Sequence, residues 1–379
     1  MKIGSTVILC TTAAMLGGAG LLAPVAGAAP STSIEPISRL IDGASAGYAL
    51  SYWTTDEHGR PARAGGQVYL PSGTPPPGGW PIVSWAKDTV GVSDSCAMST
   101  ALEDRTAEDP MAVELSKPLI TNLLRRGTAI VSTDYIGLGT SDVHHYLNSV
   151  SAANAVTDVV DAAADRLPEL SRTWVAAGHS QGGAAALTTG ARAGIYGAPS
   201  DFGGVVSFAP SSNLELLLPL LSPTTPRIAQ LDNVTATLIY ILYGLRDSRP
   251  DIDVDGYLSD LGRTYVAQAE DSCIGALREK VTGISPQQLL ARSLSDSAMT
   301  SAVREYLSVP TTGYTRPVVI EQGLADTVVP PTATTALAAE LLARGVRDVT
   351  YLPVPDATHY DVVAATVDDA QARILGMLH

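Results

Sequence analysis

The sequence predicts an α/β architecture: a doubly wound, mostly parallel sheet with a helical cap inserted late in the chain. Three observations carry this. Short β-branched runs alternate with longer helical stretches after residue 60, the rhythm of a sheet with helices on its faces. The strands beyond the second are continuous apolar runs rather than alternations, as strands covered on both faces are. From residue 213 to 312 that rhythm stops, and helical stretches broken by Pro219, Pro223, Pro226, Pro250 and Pro286 take over.

In chain order, residues 1–28 read as a signal peptide. Lys2 supplies the positive start, Val7 to Leu22 is apolar and uncharged, and Ala26-Gly27-Ala28 offers the small-x-small cleavage pattern. The predicted strands are Gln67 to Leu70, Pro81 to Trp85, Thr128 to Ser132, Trp174 to Ala177, Gly204 to Phe208, Pro317 to Ile320 and Asp348 to Leu352. Amphipathic helices are predicted for Ser149 to Leu167, Gly183 to Ala193, Thr332 to Arg344 and Tyr360 to Leu378. The domain reading is a core over 29–212 and 313–379, with the helical cap at 213–312 between its two parts. Val234 to Leu245 is apolar but too short to span a bilayer, and reads as a helix of the fold.

Composition narrows the function. With 45% apolar and 16% charged residues the chain has the makings of a packed core. Its net charge is −14 and its lysines are Lys2, Lys87, Lys117 and Lys280, which excludes a basic patch for nucleic acid. Signal cleavage removes Cys10 and leaves Cys96 and Cys273. Two cysteines in an exported chain read as one disulfide, with two buried thiols as the alternative.

The chemistry centres on Gly178-His179-Ser180-Gln181-Gly182-Gly183. A strand runs straight into Gly-x-Ser-x-Gly and a helix follows, the pattern of a nucleophile elbow. The turn holds the serine in a strained backbone conformation, with glycines where side chains would collide. Ser180 is therefore the candidate nucleophile. In this arrangement the acid and the histidine follow the serine along the chain. Only His359 and His379 lie beyond Ser180, and His379 is terminal, so His359 is the candidate base. The acid must lie just past a strand between them. Asp326 meets that condition, with Glu321 and Asp356 as rivals. His179 reads as packing or scaffolding beside the elbow.

These residues resemble the secretory lipases, α/β-hydrolases that include the fungal lipase A type and actinobacterial relatives. The likeness runs from about Tyr52 to the C-terminus. It rests on Trp85-Ala86-Lys87-Asp88-Thr89-Val90-Gly91, Asp134-Tyr135-Ile136-Gly137-Leu138-Gly139, the elbow, Gln322 to Pro330 and the loop around His359. The resemblance implies a Ser180–Asp326–His359 triad, secretion, a helical cap, and a Cys96–Cys273 disulfide tying the oxyanion-loop region to that cap. Many bacterial members have His-Gly-Thr-Thr-Gly where this chain has Lys87 to Gly91, whereas the fungal branch carries an aspartate that Asp88 matches. Backbone N–H groups of Asp88 and Gln181 are the implied oxyanion donors, with Thr89 as the alternative to Asp88.

The function expected is that of a secreted serine hydrolase cleaving carboxylic esters, lipid esters first. A short-chain, polyester or plant-wall esterase is the alternative, ahead of an exopeptidase or a non-catalytic binding module. No cofactor and no metal are called for, and the partners are ester or lipid substrates, met at most transiently at a lipid interface. Asp251 to Gly256 resembles the opening of a calcium loop, but Gly262 stands where the bidentate glutamate belongs; a solvated acidic loop is expected. His144-His145 reads as a surface loop, and Asn233-Val234-Thr235 has the form of a glycosylation sequon. The leucines at 214, 216–218, 220 and 221 read as cap core or as the lining of an acyl tunnel.

Overall fold

The computed structural model describes Met1 and residues 32–101, 111–197, 201–227 and 234–379. The signal-peptide reading, apart from Met1, and Asn233 of the sequon lie outside the described residues. Thr32–His379 forms one compact unit.

The first strands are β1 (Ser33–Pro36), β2 (Ala44–Thr55), β3 (Pro61–Pro71) and β4 (Trp80–Ala86), followed by α1 (Met98–Ala101) and α2 (Met111–Arg125). Next come β5 (Ala129–Ile136), α3 (Ser149–Ala164), β6 (Leu170–His179), α4 (Gln181–Arg192) and β7 (Asp201–Phe208). The helices α5 (Leu214–Leu217), α6 (Thr235–Ser248), α7 (Asp260–Gln268), α8 (Ile274–Lys280) and α9 (Ser297–Leu307) precede the last two strands. The chain closes with β8 (Val318–Gly323), α10 (Pro331–Ala343), β9 (Val349–Val354), α11 (Val362–Ala365) and α12 (Val367–Leu378). The nine strands form one sheet in the order β1-β2-β3-β5-β4-β6-β7-β8-β9. The first three pairings in that order, β1 with β2, β2 with β3 and β3 with β5, are antiparallel, and every later one is parallel.

The strands from β4 onward fall where the apolar runs place them. β5 is buried along its whole length, as a strand covered on both faces must be. The strands β1 and β2 and the helices α1 and α2 escape the sequence reading. β2 mixes small, polar and aromatic residues and is only partly covered. α2 contains Pro118, which reads as a breaker. The last predicted helix is two helices: the Thr366 hydroxyl donates to the Val362 carbonyl at 2.8 Å where α11 ends and α12 begins.

Two apolar clusters flank the sheet, one around Trp174, Val156 and Leu187 and one around Leu123, Phe208 and Ile374. A third lies mainly between Leu218 and Leu307, built on α6, α7, α8 and α9, where no strand occurs among the described residues. Val234 to Leu245 falls largely in α6, which is buried on most sides. No described helix is long and apolar enough to cross a membrane.

Two expectations need correction. His144 and His145 are buried, at 3% and 7% exposure, because α6 packs over their loop. Leu216, Leu217 and Leu220 are exposed at 56%, 44% and 69%, while Leu218 and Leu221 are buried, so the leucine cluster is not one core. The acidic loop is solvated as expected: Asp251, Asp253 and Asp255 are exposed, with Asp251 paired to Arg249 and Asp253 capping a short 3-10 turn by accepting from Gly256 N–H at 3.1 Å.

Candidate active site

The site is assembled at the carboxyl ends of β4, β6, β7, β8 and β9, where parallel strands of such a sheet present their loops. Ser180 stands between β6 and α4 at φ 56° and ψ −115°. This is a strained conformation for a residue with a side chain. The surroundings hold it there: Ser180 N–H donates to the Phe208 carbonyl at 2.9 Å, and the Ser180 carbonyl accepts from Ala184 and Ser211 N–H at 3.1 Å each. The flanking glycines have no room for a side chain. A Cβ on Gly182 would lie 1.9 Å from the Ala86 carbonyl oxygen, and one on Gly178 2.5 Å from the Gly182 carbonyl oxygen.

His359 lies in the loop after β9 and is 3% exposed. Its Nε2 is 3.0 Å from Ser180 Oγ, and its Nδ1 is 2.8 Å from Asp326 Oδ2. The acid fixes the tautomer: Nδ1–H donates to the carboxylate, leaving the Nε2 lone pair to accept from the serine hydroxyl. Asp326 lies in the turn after β8 and is anchored by four donors. Val328 and Val329 N–H reach Oδ1 at 2.8 Å each, while Gln322 Nε2 (3.0 Å) joins His359 at Oδ2. Burial pushes the Asp326 carboxyl up, but His359 and the two backbone N–H groups outweigh it and hold the group below the usual carboxylate range.

The rivals to Asp326 are elsewhere. Glu321 precedes Gln322 on β8, so it faces the other side of the sheet. Its neighbours there are Thr366, Asp369 and Arg373, and burial raises it to about 7. Asp356 is exposed in the turn before His359.

The segment after β4 passes beside the serine. Lys87 is buried against Asp134, and Tyr135 OH donates to the Lys87 carbonyl at 2.8 Å. Thus the Asp134-Tyr135 stretch clamps the Lys87-Asp88 stretch. The Asp88 carboxylate turns toward His179, with Oδ2 3.3 Å from Nδ1, and Oδ1 accepts from Thr89 N–H at 2.6 Å. Burial disfavours the charged Asp88, but His179 and Thr89 outweigh it and lower its pKa. His179 in turn donates through Nε2 to the His359 carbonyl at 2.8 Å, and its ring centroid lies 4.6 Å from that of His359. Asp88, His179 and His359 also stand close enough to share a cation, yet each ring nitrogen already has a partner in the protein.

Gln181 is the first residue of α4, so its backbone N–H has no partner within the helix. Thr89 N–H is already taken by Asp88, and the Thr89 hydroxyl lies 2.8 Å from Tyr146 OH. Behind Gln181, burial and the neighbouring His145 lower His144 to about 4, so it stays neutral. Its Nδ1–H donates to the Ile136 carbonyl at 2.8 Å, and its Nε2 lies 3.4 Å from the Gln181 side-chain amide.

A cavity of about 50 Å³ opens on Ser180 and His359. Leu214, Val234, Ile274, Val328 and Val329 form its apolar walls, and Tyr146, Thr237 and Arg278 a polar one. Cys96 and Cys273 form a disulfide with Cα atoms 5.6 Å apart, spanning 177 residues. It joins the segment following the Asp88 loop to the residue before α8. Beside it, Ile274 N–H donates to the Val90 carbonyl at 2.9 Å.

Sequence reasoning brought Ser180, Asp326, His359, Asp88 and Gln181 to this site, and the structure gathers all five. It did not find Gln322, Tyr146, Arg278 or Ser211, whose Oγ lies 3.4 Å from Ser180 Oγ. None of these four belongs to a motif with fixed spacing. The one available signal was the position of Gln322 within the stretch leading to Asp326.

The chain matches the model of the alpha/beta hydrolase family over residues 109–373. With the elbow, the late acid and histidine and the parallel sheet already described, this chain belongs to the alpha/beta hydrolase family. Among solved structures it is similar to Candida antarctica lipase A, with 16% identity and a TM-score of 0.72, over 90% of this chain and 81% of that one. It is also similar to a rice cell wall degrading esterase from Xanthomonas oryzae (20% identity, TM-score 0.71, 88% and 91% covered). A third is a putative hydrolase from Legionella pneumophila (18% identity, TM-score 0.66, 88% of each chain). At these identities the likeness is one of fold. A search of curated proteins returns no match.

Proposed function

We propose that the chain is a secreted serine hydrolase of carboxylic esters, working through an acyl-enzyme on Ser180, with residues 213–312 as the cap over its substrate. The observation that carries this reading is the file of atoms from Ser180 Oγ through His359 to Asp326, at 3.0 Å and 2.8 Å. His359 Nε2 takes the serine proton as Oγ attacks the ester carbonyl. Asp326 holds the ring and stabilises the imidazolium. The backbone N–H groups of Asp88 and Gln181 receive the oxyanion. Because the Asp88 carboxylate is turned to His179, its charge is compensated there rather than set against the developing oxyanion. Collapse of the intermediate expels the alcohol, which takes the proton from His359. Water activated by the same nitrogen then hydrolyses the acyl-enzyme.

The exposed leucines at 216, 217 and 220 begin two residues beyond Leu214, which lines the cavity. They support lipid esters as the substrates. The small volume at Ser180 supports the second reading, a short-chain esterase. An acyl series from acetyl to palmitoyl esters separates the two, with a long-chain preference expected for the first and an acetyl or butyryl preference for the second. Ser180→Ala tests the nucleophile: turnover falls at least a thousandfold, to what binding and the oxyanion donors retain. Activity persisting near the wild-type level in a folded variant overturns the assignment.

A further inference from the structure

We infer that Arg278 makes the candidate active site selective for esters that carry a free carboxylate a few bonds from the scissile group. This rests on the ester-hydrolase reading and names the substrate class within it. Arg278 lines the cavity that opens on Ser180, and Ile274, four residues earlier on α8, lines it too. Residues four apart share a helix face, so α8 turns that face toward the substrate.

The charges around the cavity are unequal. Each carboxylate there has a histidine against it, Asp326 with His359 and Asp88 with His179. Arg278 has no such partner: among the described residues no carboxylate pairs with its guanidinium. Tyr146 and Thr237 line the cavity beside it, and its charge acts on the phenols of Tyr146 and Tyr240. A fixed cation at one wall of a small pocket, with neutral hydroxyls beside it, awaits an anion. A neutral ester would draw this charge out of water and give nothing in return.

The geometry also selects the kind of anion. A planar guanidinium matches a carboxylate through two parallel hydrogen bonds. One cation balances one carboxylate, whereas a phosphate dianion would need a second cation, and none lines the cavity among the described residues apart from His359, already paired with Asp326. The helix that carries the guanidinium is well fixed. The Cys96–Cys273 disulfide and the hydrogen bond from Ile274 N–H to Val90 hold the start of α8 against the segment that follows Asp88. The cation and the oxyanion donor are therefore joined through one short, cross-linked stretch of structure. The molecule as a whole is acidic, so an anionic substrate is not drawn in from afar; recognition is local.

The test uses two matched pairs of probes. Monoethyl adipate and ethyl hexanoate differ only in a carboxylate or methyl at the far end of the acyl part. 3-Acetoxypropanoate and propyl acetate differ likewise on the alcohol side. Initial rates are followed by acid release for wild type, Arg278→Gln and Arg278→Lys, with thermal melts as a check on folding. In the wild type, kcat/KM for the anionic member exceeds that for its neutral partner in at least one pair. Arg278→Gln lowers that ratio roughly tenfold to a hundredfold, as expected for loss of a charge-assisted hydrogen bond, mainly through KM. Arg278→Lys restores part of it. A ratio that stays unchanged in Arg278→Gln, or a wild type that favours the neutral member in both pairs, overturns the inference while leaving ester hydrolysis standing. A folded wild type that turns over none of the four overturns the ester-hydrolase reading and this inference with it.

Discussion

His145 joins the sheet-bearing part of the molecule to α6 through a buried charge cluster, and its strength is measurable. Its Nδ1 lies 3.0 Å from Glu57 Oε1 and its Nε2 lies 2.9 Å from Asp247 Oδ2. Ser248, the last residue of α6, donates to Glu57 as well. With a carboxylate at each nitrogen, the imidazolium is the favoured form. Burial pulls the His145 pKa down, but Glu57 and Asp247 outweigh it and raise it. Burial pushes Glu57 up, and the hydrogen bond and charge of His145, with Ser248, bring it down from 4.5 to about 2. At 1.36 kcal/mol per unit, that shift corresponds to about 3 kcal/mol held in the cluster. The Glu57 side chain is only 9% exposed, so solvent screening removes little of it.

The signs set the window. Glu57, with a lowered pKa, contributes fully above its ordinary value and loses its contribution as pH falls through about 2. His145, with a raised pKa, contributes fully below its ordinary 6.5 and loses its contribution as pH rises through the folded value. His58, 3.6 Å from Glu57, and the Arg249–Glu305 pair border the cluster. Glu57→Gln, His145→Gln and the double variant form a cycle, read by urea unfolding. The expected coupling is about 2–3 kcal/mol near pH 5.5 and below about 1 near pH 9.5. A coupling under about 0.5 kcal/mol at the lower pH, or one of equal size at both, refutes the reasoning.

Two further outcomes follow from the packing around the serine. Gly182→Ala places a methyl carbon 1.9 Å from the Ala86 carbonyl oxygen, so α4 must move off the end of β4. Stability should fall by roughly 2 kcal/mol or more and ester turnover should collapse; wild-type kinetics in a folded variant would show that α4 can shift without disturbing Gln181. Thiol titration of the denatured, unreduced chain lacking residues 1–28 should find no free thiol. Cys273→Ser should lower stability by up to about 5 kcal/mol, the chain-entropy value for so long a loop. Two titratable thiols, or a variant as stable as the parent, would contradict the link.

The legible parts of the molecule are those whose physics is local. β4 to β8 announced themselves because burial on both faces leaves mainly apolar residues along them. Ser180 did so because its backbone needs glycines at fixed offsets, and His359 because no other internal histidine follows the serine. β2 was hidden because half its residues lie near the surface, although Tyr52 within it is fully buried and donates to Thr133 Oγ1 at 2.6 Å. The tandem histidines looked like a surface loop because their burial depends on α6, some hundred residues away. Gln322 and Arg278 carry no local mark of their roles, since each acts on a group that only the tertiary fold brings to it. The Asp88 carboxylate raised an electrostatic objection in the sequence that its turn toward His179 answers.

The order of the strands has a consequence for when the protein becomes active. The nucleophile sits at the end of β6, while the residues that activate it arrive beyond β8 and β9, after the whole stretch of cap helices has been made. A chain emerging from the ribosome carries Ser180 for half its length without a base. Docking of β8 against β7, and of β9 against β8, is what completes the relay. On the proposed roles, hydrolysis is therefore withheld until the last tenth of the chain has folded.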